Sequence, residues 1–221
     1  VIDQTPPTAA RRGPGRGLFI AVEGGDGAGK STQARRLGDW LEGQGYAVLH
    51  TREPGGTELG RTLRELVLHG EDGSVSERAE ALIFAADRAH HVATVVRPAL
   101  ERGEVVITDR YLDSSVAYQG AARALGHDEV RELSMWATER LVPDLTVLLD
   151  VSAQQGRVRR GQVHDRLERE ADDFHDRVRQ GFLDLAAREP ERYLVLDGHG
   201  DADRLAEQVR ERVSLLLGEA S

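Results

Sequence analysis

The 221-residue sequence contains no cysteine. That excludes a disulfide framework, cysteine-based zinc sites and thiol catalysis, and it suits a cytoplasmic setting. Lysine is almost as scarce: of 29 lysines and arginines, Lys30 is the single lysine and the other 28 are arginine. No apolar run approaches the roughly 20 residues that span a bilayer. The opening VIDQTPPTAARRGPGRG has no apolar stretch of the secretory type, so neither a secretory signal nor a membrane partner is expected. The chain also lacks the positive excess with which a general nucleic-acid binder neutralises phosphates. Its formal net charge is −9, and no nucleic-acid partner is expected. A small anionic ligand is compatible with that charge where a few arginines gather against the overall field.

What is present reads as one α/β domain. Five short apolar runs have the character of strands: Leu18–Val22, Ala47–His50, Val105–Thr108, Leu145–Leu149 and Tyr193–Leu196. Their hydrophobicity is continuous rather than alternating, as in a parallel sheet covered on both faces. Helical spacing lies between them, with Ala34, Leu37 and Leu41 on one face, then Phe174, Val178, Phe182 and Leu185, then Leu205, Val209, Val213 and Leu216. The alternation predicts a doubly wound five-stranded parallel sheet flanked by helices, over residues 18–221. Residues 1–17, rich in Pro, Gly and Arg, are expected to form a disordered tail. In such a sheet the ligand crevice lies at the carboxyl ends of the strands, so the segments after each strand are the ones to search for chemistry.

Directly after the first run comes EGGDGAGKST, in which Gly24, Gly29, Lys30 and Ser31 fit G-x-x-x-x-G-K-[ST]. Glycines let the backbone curl so that successive N–H groups face phosphate oxygens. A helix opening at Lys30 adds its positive end. Gly24, Gly25, Asp26, Gly27, Ala28, Gly29, Lys30, Ser31 and Thr32 therefore read as a P-loop for ATP, with Lys30 on the β- and γ-phosphates and Ser31 on Mg²⁺. An ammonium is a compact point charge, whereas a guanidinium is a wide rigid fork, and a crowded loop around a triphosphate accepts the first shape.

A nucleotide site alone serves motors, switches and phosphotransferases. Asp109 and Asp150 directly follow the third and fourth runs, neither with the adjacent Glu of a water-activating ATPase. Asp109 is placed to help hold Mg²⁺ through water, and Arg110 to clamp a phosphate with two N–H groups; a surface Asp–Arg pair is the plainer alternative. Phe84 and Arg88, four apart, share a helix face and suit stacking on a base and hydrogen-bonding its edge, or else core packing plus a solvated charge. The neighbours His90 and His91 read as a solvated face rather than as acid–base or metal groups. The classes left open are a nucleoside monophosphate kinase and a non-catalytic nucleotide-binding regulatory module.

EGGDGAGKST, TREPGGT, FAADR, DRYLDSSVAYQG and Asp165–Glu168, in that order, together resemble the bacterial thymidylate kinases of the P-loop nucleoside monophosphate kinase family. The resemblance runs from Leu18 to about Leu217. It implies phosphoryl transfer from Mg²⁺-ATP to dTMP, giving dTDP for DNA synthesis, by a cytoplasmic homodimer. Carried over by position, it implies that Asp26 accepts from the sugar 3′-hydroxyl, Phe84 stacks on thymine and Arg88 donates to the base. Ser114, Ser115 and Gln119 then stand near the base, and Tyr118 packs against the deoxyribose. Arg110 binds the acceptor phosphate in a pocket shaped by Glu53 and Pro54. A short arginine-bearing lid at about 156–166 supplies the cation for the transferring phosphoryl, with Arg160 and then Arg159 as candidates. Arg157 is the third lid arginine. Asp165 and Glu168 support the lid or the metal-linked end of the site, or form a D-x-x-E capping box, or both.

Overall fold

The computed structural model describes residues 16–68, 75–159 and 165–218. Each apolar run forms a strand: β1 (Leu18–Gly24), β2 (Val48–Arg52), β3 (Val105–Asp109), β4 (Leu145–Asp150) and β5 (Tyr193–Asp197). All pair in parallel, in the order β2-β3-β1-β4-β5. The strands run one or two residues past their apolar stretches because polar residues close the ladder. Asp109 aligns with Val22 on one side and Arg52 on the other, and Asp150 aligns with Asp197. These closing residues put charge at one edge of an otherwise apolar sheet.

Continuous hydrophobicity is explained by cover on both faces. Leu18, Ile20 and Val22 of β1 pack with Leu37 and Leu41 of α1 (Lys30–Gly43) and with Leu205, Val209 and Val213 of α9 (Ala202–Leu216). Phe19 and Ala21, pointing the other way, pack with Val92, Val96, Leu100 and Tyr111. A third cluster joins Phe84 of α3 (Glu77–His91), Tyr118, and Phe174, Val178, Phe182 and Leu185 of α8 (Asp172–Arg188). Truncating a buried side chain such as Phe182 to Ala would cost about 3–5 kcal/mol.

Between these lie α2 (Glu58–Leu68), α4 (Arg97–Glu101), α5 (Leu112–Ser115), α6 (His127–Ala137) and α7 (Ala153–Arg159). Val92–Val96 and Val116–Ala122 are π-helical turns continuing α3 and α5. The second carries Tyr118 and Gln119 and is packed by α8 along its length. Arg16 and Gly17, expected in the tail, are engaged: Gly17 N–H donates to Leu100 O at 2.7 Å and Arg16 Nη2 to Asp144 Oδ1 at 2.5 Å. Among the described residues no helix is long and apolar enough to cross a membrane.

Candidate active site

β1 lies at the switch point of the sheet, with β3 on one side and β4 on the other, where a crevice opens in doubly wound folds. The loop leaving β1 turns through left-handed glycines, Gly24 at φ 134°, Gly27 at 79° and Gly29 at 94°. A Cβ on Gly24 would meet Leu149 O, and one on Gly27 would meet Gly156 O of α7. Sheet and α7 therefore press directly on the loop backbone. Lys30 opens α1 with its side chain buried and its Nζ donating to Gly25 O at 2.8 Å. Burial, and after it the Arg110 guanidinium, pulls its ammonium below the ordinary lysine range.

Ser31 Oγ donates to Asp109 Oδ2 at 2.5 Å. A hydroxyl and a carboxylate side by side are hard oxygen donors, and Mg²⁺ takes few of these from protein, filling its octahedron with water and phosphate oxygens. The pair fits that ion. Among the described residues there is no cluster of three or more His, Asp or Glu placed to hold a metal. Asp109 and Arg110 do not pair with each other: Asp109 serves Ser31, and Arg110 turns to Asp26.

Beside this polar cleft is a second cavity of about 650 Å³, its open mouth included. Asp26, Glu53, Pro54, Phe84, Arg88, Arg110, Ser114, Ser115, Tyr118 and Gln119 all line it, so every residue expected around the acceptor is brought together. Arg110 and Asp26 stand where the two compartments meet. Arg110 adopts a left-handed backbone at φ 69°, which costs an L-residue about 1–2 kcal/mol. The turn is held by Arg110 N–H on Val22 O at 3.0 Å and Thr108 Oγ1 on Arg110 O at 2.8 Å. The side chain then donates to Gly24 O, Ser114 Oγ and Tyr118 Oη and pairs with Asp26. Tyr118 Oη donates to the other Asp26 oxygen at 2.8 Å.

Glu23, one residue before the loop, fastens this turn from beneath. Its Oε1 accepts from Tyr111 N–H at 2.8 Å and Ser114 N–H at 3.1 Å, and its Oε2 accepts from Ser114 Oγ at 2.7 Å. Burial, followed by the charge of Asp113, pushes its carboxyl up from 4.5 to about 7.

Arg88 is buried rather than solvated, at 3 % exposure. Its Nε donates to Glu53 Oε2 at 2.7 Å, Nη1 to Ser134 Oγ at 3.1 Å and Nη2 to Ser115 Oγ at 3.0 Å. Glu53, read from the sequence as shaping a phosphate pocket, lines both compartments, and its carboxylate is held by Arg88 and His91. His91 corrects the reading of a solvated histidine pair: it is fully buried, with Nδ1 2.8 Å from Glu53 Oε1 and Nε2 2.6 Å from Thr51 Oγ1. The physical reason is angular. Neighbours on a helix point about 100° apart, so His90 lies near the surface while His91 shares the inward face with Arg88, three residues earlier.

Asp165 and Glu168 form the reciprocal capping pair, Glu168 N–H on Asp165 Oδ1 at 2.9 Å and Asp165 N–H on Glu168 Oε2 at 3.1 Å, and both line the second cavity. Between them Arg166 reaches buried Glu80, whose other oxygen accepts from Gln119 Nε2 at 2.9 Å. Of the lid arginines, Arg159 faces the P-loop cleft and donates to Gly198 O at 2.8 Å, whereas Arg157 pairs with Asp172 outside it. Arg160 and lid residues 161–164 lie outside the described residues. Sequence reasoning missed Glu23, Arg64, Glu80, Asp87 and His91. Arg64 lines both compartments and donates to Pro54 O at 3.2 Å. A signal existed for three of them, since Glu80, Asp87 and His91 lie within one turn or two of the face that carries Phe84 and Arg88.

The sequence profile of the thymidylate kinase family matches residues 22–211. A thymidylate kinase of Leifsonia xyli subsp. xyli is 61% identical over 200 residues, covering 89% of this chain and 94% of its own. One of Clavibacter sepedonicus is 58% identical over 204 residues, covering 91% and 96%. Among solved structures, the thymidylate kinase of Ehrlichia chaffeensis matches with a TM-score of 0.76 at 30% identity, over 91% of this chain and 100% of that one. Profile, relatives and fold agree, and the chain belongs to the thymidylate kinase family.

Proposed function

We infer that the protein transfers the terminal phosphoryl group of ATP to dTMP, giving dTDP and ADP, a step that supplies dTTP for DNA synthesis. The observation that carries this reading is the meeting of two unlike compartments at Arg110 and Asp26: a glycine-lined phosphate cleft and a cavity with a ring, Phe84, beside a donor fork, Arg88. Two nucleotides laid end to end would bring their phosphates together there. Their mutual repulsion is the main obstacle, so positioning and charge neutralisation carry most of the catalysis.

In this reading Lys30 and the N–H groups of Gly24–Thr32 bind the donor phosphates. Arg110 holds the acceptor phosphate, and Asp26 and Tyr118 turn to the acceptor sugar. Phe84, Arg88, Ser115 and Gln119 face the base. Ser31 and Asp109 would hold Mg²⁺, which neutralises phosphate charge when bound. A monoester phosphate has its second pKa near ~6, so the attacking oxygen is already anionic at neutral pH and no general base is required. The lid arginines Arg160 and Arg159 stabilise the transferring group, and residues 18–221 act as one domain.

The same reading pairs two copies through helices. Leu66 of α2, Leu82 of α3 and Trp136 of α6 stand exposed at 57%, 58% and 80% on helices packed side by side. It also carries a cytoplasmic setting, where ATP is at hand. The test is a coupled ADP assay with dTMP, dUMP, dCMP, AMP and thymidine as acceptors. Strong stimulation by dTMP over the other four is expected, and ATP turnover indifferent to acceptor would defeat the reading.

A further inference from the structure

We propose that His91 is a positioning residue for reading of the acceptor base: its imidazole fixes the Glu53 carboxylate, and Glu53 fixes the angle of the Arg88 fork. The proposal rests on the reading that Arg88 faces the acceptor base. Both oxygens of Glu53 are committed, Oε1 to His91 Nδ1 at 2.8 Å and Oε2 to Arg88 Nε at 2.7 Å. His91 and Arg88 are three residues apart on one face of α3, so the carboxylate is inserted between them like a bolt through two eyes. With one partner removed it could rotate about its last side-chain bond and follow Arg88. With both in place its plane is set.

The imidazole is itself fixed. Nε2 meets Thr51 Oγ1 at 2.6 Å, and a Cβ added to Gly56 would stand 2.7 Å from that nitrogen. A carboxylate can only accept, so Nδ1 carries the proton. Nε2 then accepts from the Thr51 hydroxyl in the neutral ring, or donates to its oxygen in the cation; either way the bond to Glu53 stands. The second anchor of Glu53 is its own backbone, whose N–H donates to Asp109 O at 3.0 Å. His91 thus connects the ends of β2 and β3 to the arginine that lines the acceptor cavity, with no contact of its own in that cavity. An apolar residue would fill the same volume without burying two nitrogens, and burying polar atoms is unfavourable unless each is hydrogen-bonded. The imidazole meets that condition only in this arrangement.

The experiment is steady-state kinetics of His91→Ala, His91→Asn, His91→Gln and Arg88→Lys, with dTMP and ATP varied separately. Asn places an N–H close to where Nδ1 stood; Gln reaches toward the Nε2 position instead. His91→Ala is expected to raise KM for dTMP about tenfold and to leave KM for ATP within about twofold. His91→Asn should recover most of that loss and His91→Gln should not. Equal losses for dTMP and ATP, equal behaviour of Asn and Gln, or lower thermal stability with unchanged KM for dTMP would overturn the proposal. If His91→Ala does not fold, the Asn-against-Gln contrast decides it alone. Arg88→Lys separates the two layers of the argument. If it leaves KM for dTMP unchanged, the assignment of Arg88 to the base fails. If it raises that KM while the histidine variants do not, only the role of His91 fails.

Discussion

The two compartments share a floor, the carboxyl ends of β1 and β3, but are made of different material. The P-loop cleft is built around main chain, with left-handed glycines, a helix N-terminus and one buried ammonium, and Ser31, Asp109 and Arg159 stand at its rim. The acceptor side is side chain, and its polar groups are tied to one another before any ligand arrives, as Arg88, Gln119, Tyr118 and Asp26 show. Backbone N–H groups are the same in every residue and suit phosphates, which are the same in every nucleotide. Discrimination between bases needs particular atoms at fixed angles, and only packed, hydrogen-bonded side chains supply them.

Three measurements would sharpen or break this contrast, in falling order of effect on activity. Lys30→Met keeps the volume and removes the donor side's one ammonium; kcat/KM should fall about 10³-fold with little change in melting temperature. Lys30→Arg should recover less than tenfold, and full recovery would show that charge alone, without shape, suffices. Next, Arg160→Ala and Arg159→Ala, measured in parallel, should give a loss of about 10²-fold in kcat for one of the two, with KM for ATP nearly unmoved. Equal mild effects would remove the lid from the chemistry.

The smallest effect lies at the seam, at Glu23. A carboxyl whose folded pKa is raised from 4.5 to about 7 favours folding in its protonated form. That stability is present in full below pH 4.5 and is lost as pH rises through 7, by about 3 kcal/mol at most. Glu23→Gln can still accept from Tyr111 and Ser114, so it should flatten this slope and melt a few degrees above the wild type at pH 8, with kcat little changed. Parallel melting-against-pH curves for the two proteins would count against it.

The sheet was legible because burial on both faces leaves uninterrupted apolar runs such as Val105–Thr108, and the phosphate loop because glycine spacing is itself the mechanism. The residues expected around the acceptor were singled out through their motifs, and D-x-x-E announced its capping bonds. What stayed hidden was partnership across distance. Nothing near Glu53 in the sequence says that its partners lie 35 and 38 residues on, at Arg88 and His91. Treating His90 and His91 as one unit concealed that only the second faces inward. Glu23 read only as the residue that opens the segment after the first strand, since its role depends on the backbone of Tyr111 and Ser114, and backbone groups leave no mark in a sequence. The π-helical turn at Val116–Ala122 is likewise a matter of packing against α8 and has no local signature.

A chain with a single lysine carries a single side-chain address for amine chemistry, and here that address is closed. Lys30 is 7% exposed, so acylating reagents and lysine-directed proteases find no other side chain to act on and reach this one only when the loop opens. Cleavage after residue 30, or acylation of its side-chain nitrogen, therefore clocks the opening of the loop that buries it. Slower reaction in the presence of ATP would measure how firmly the occupied loop stays shut.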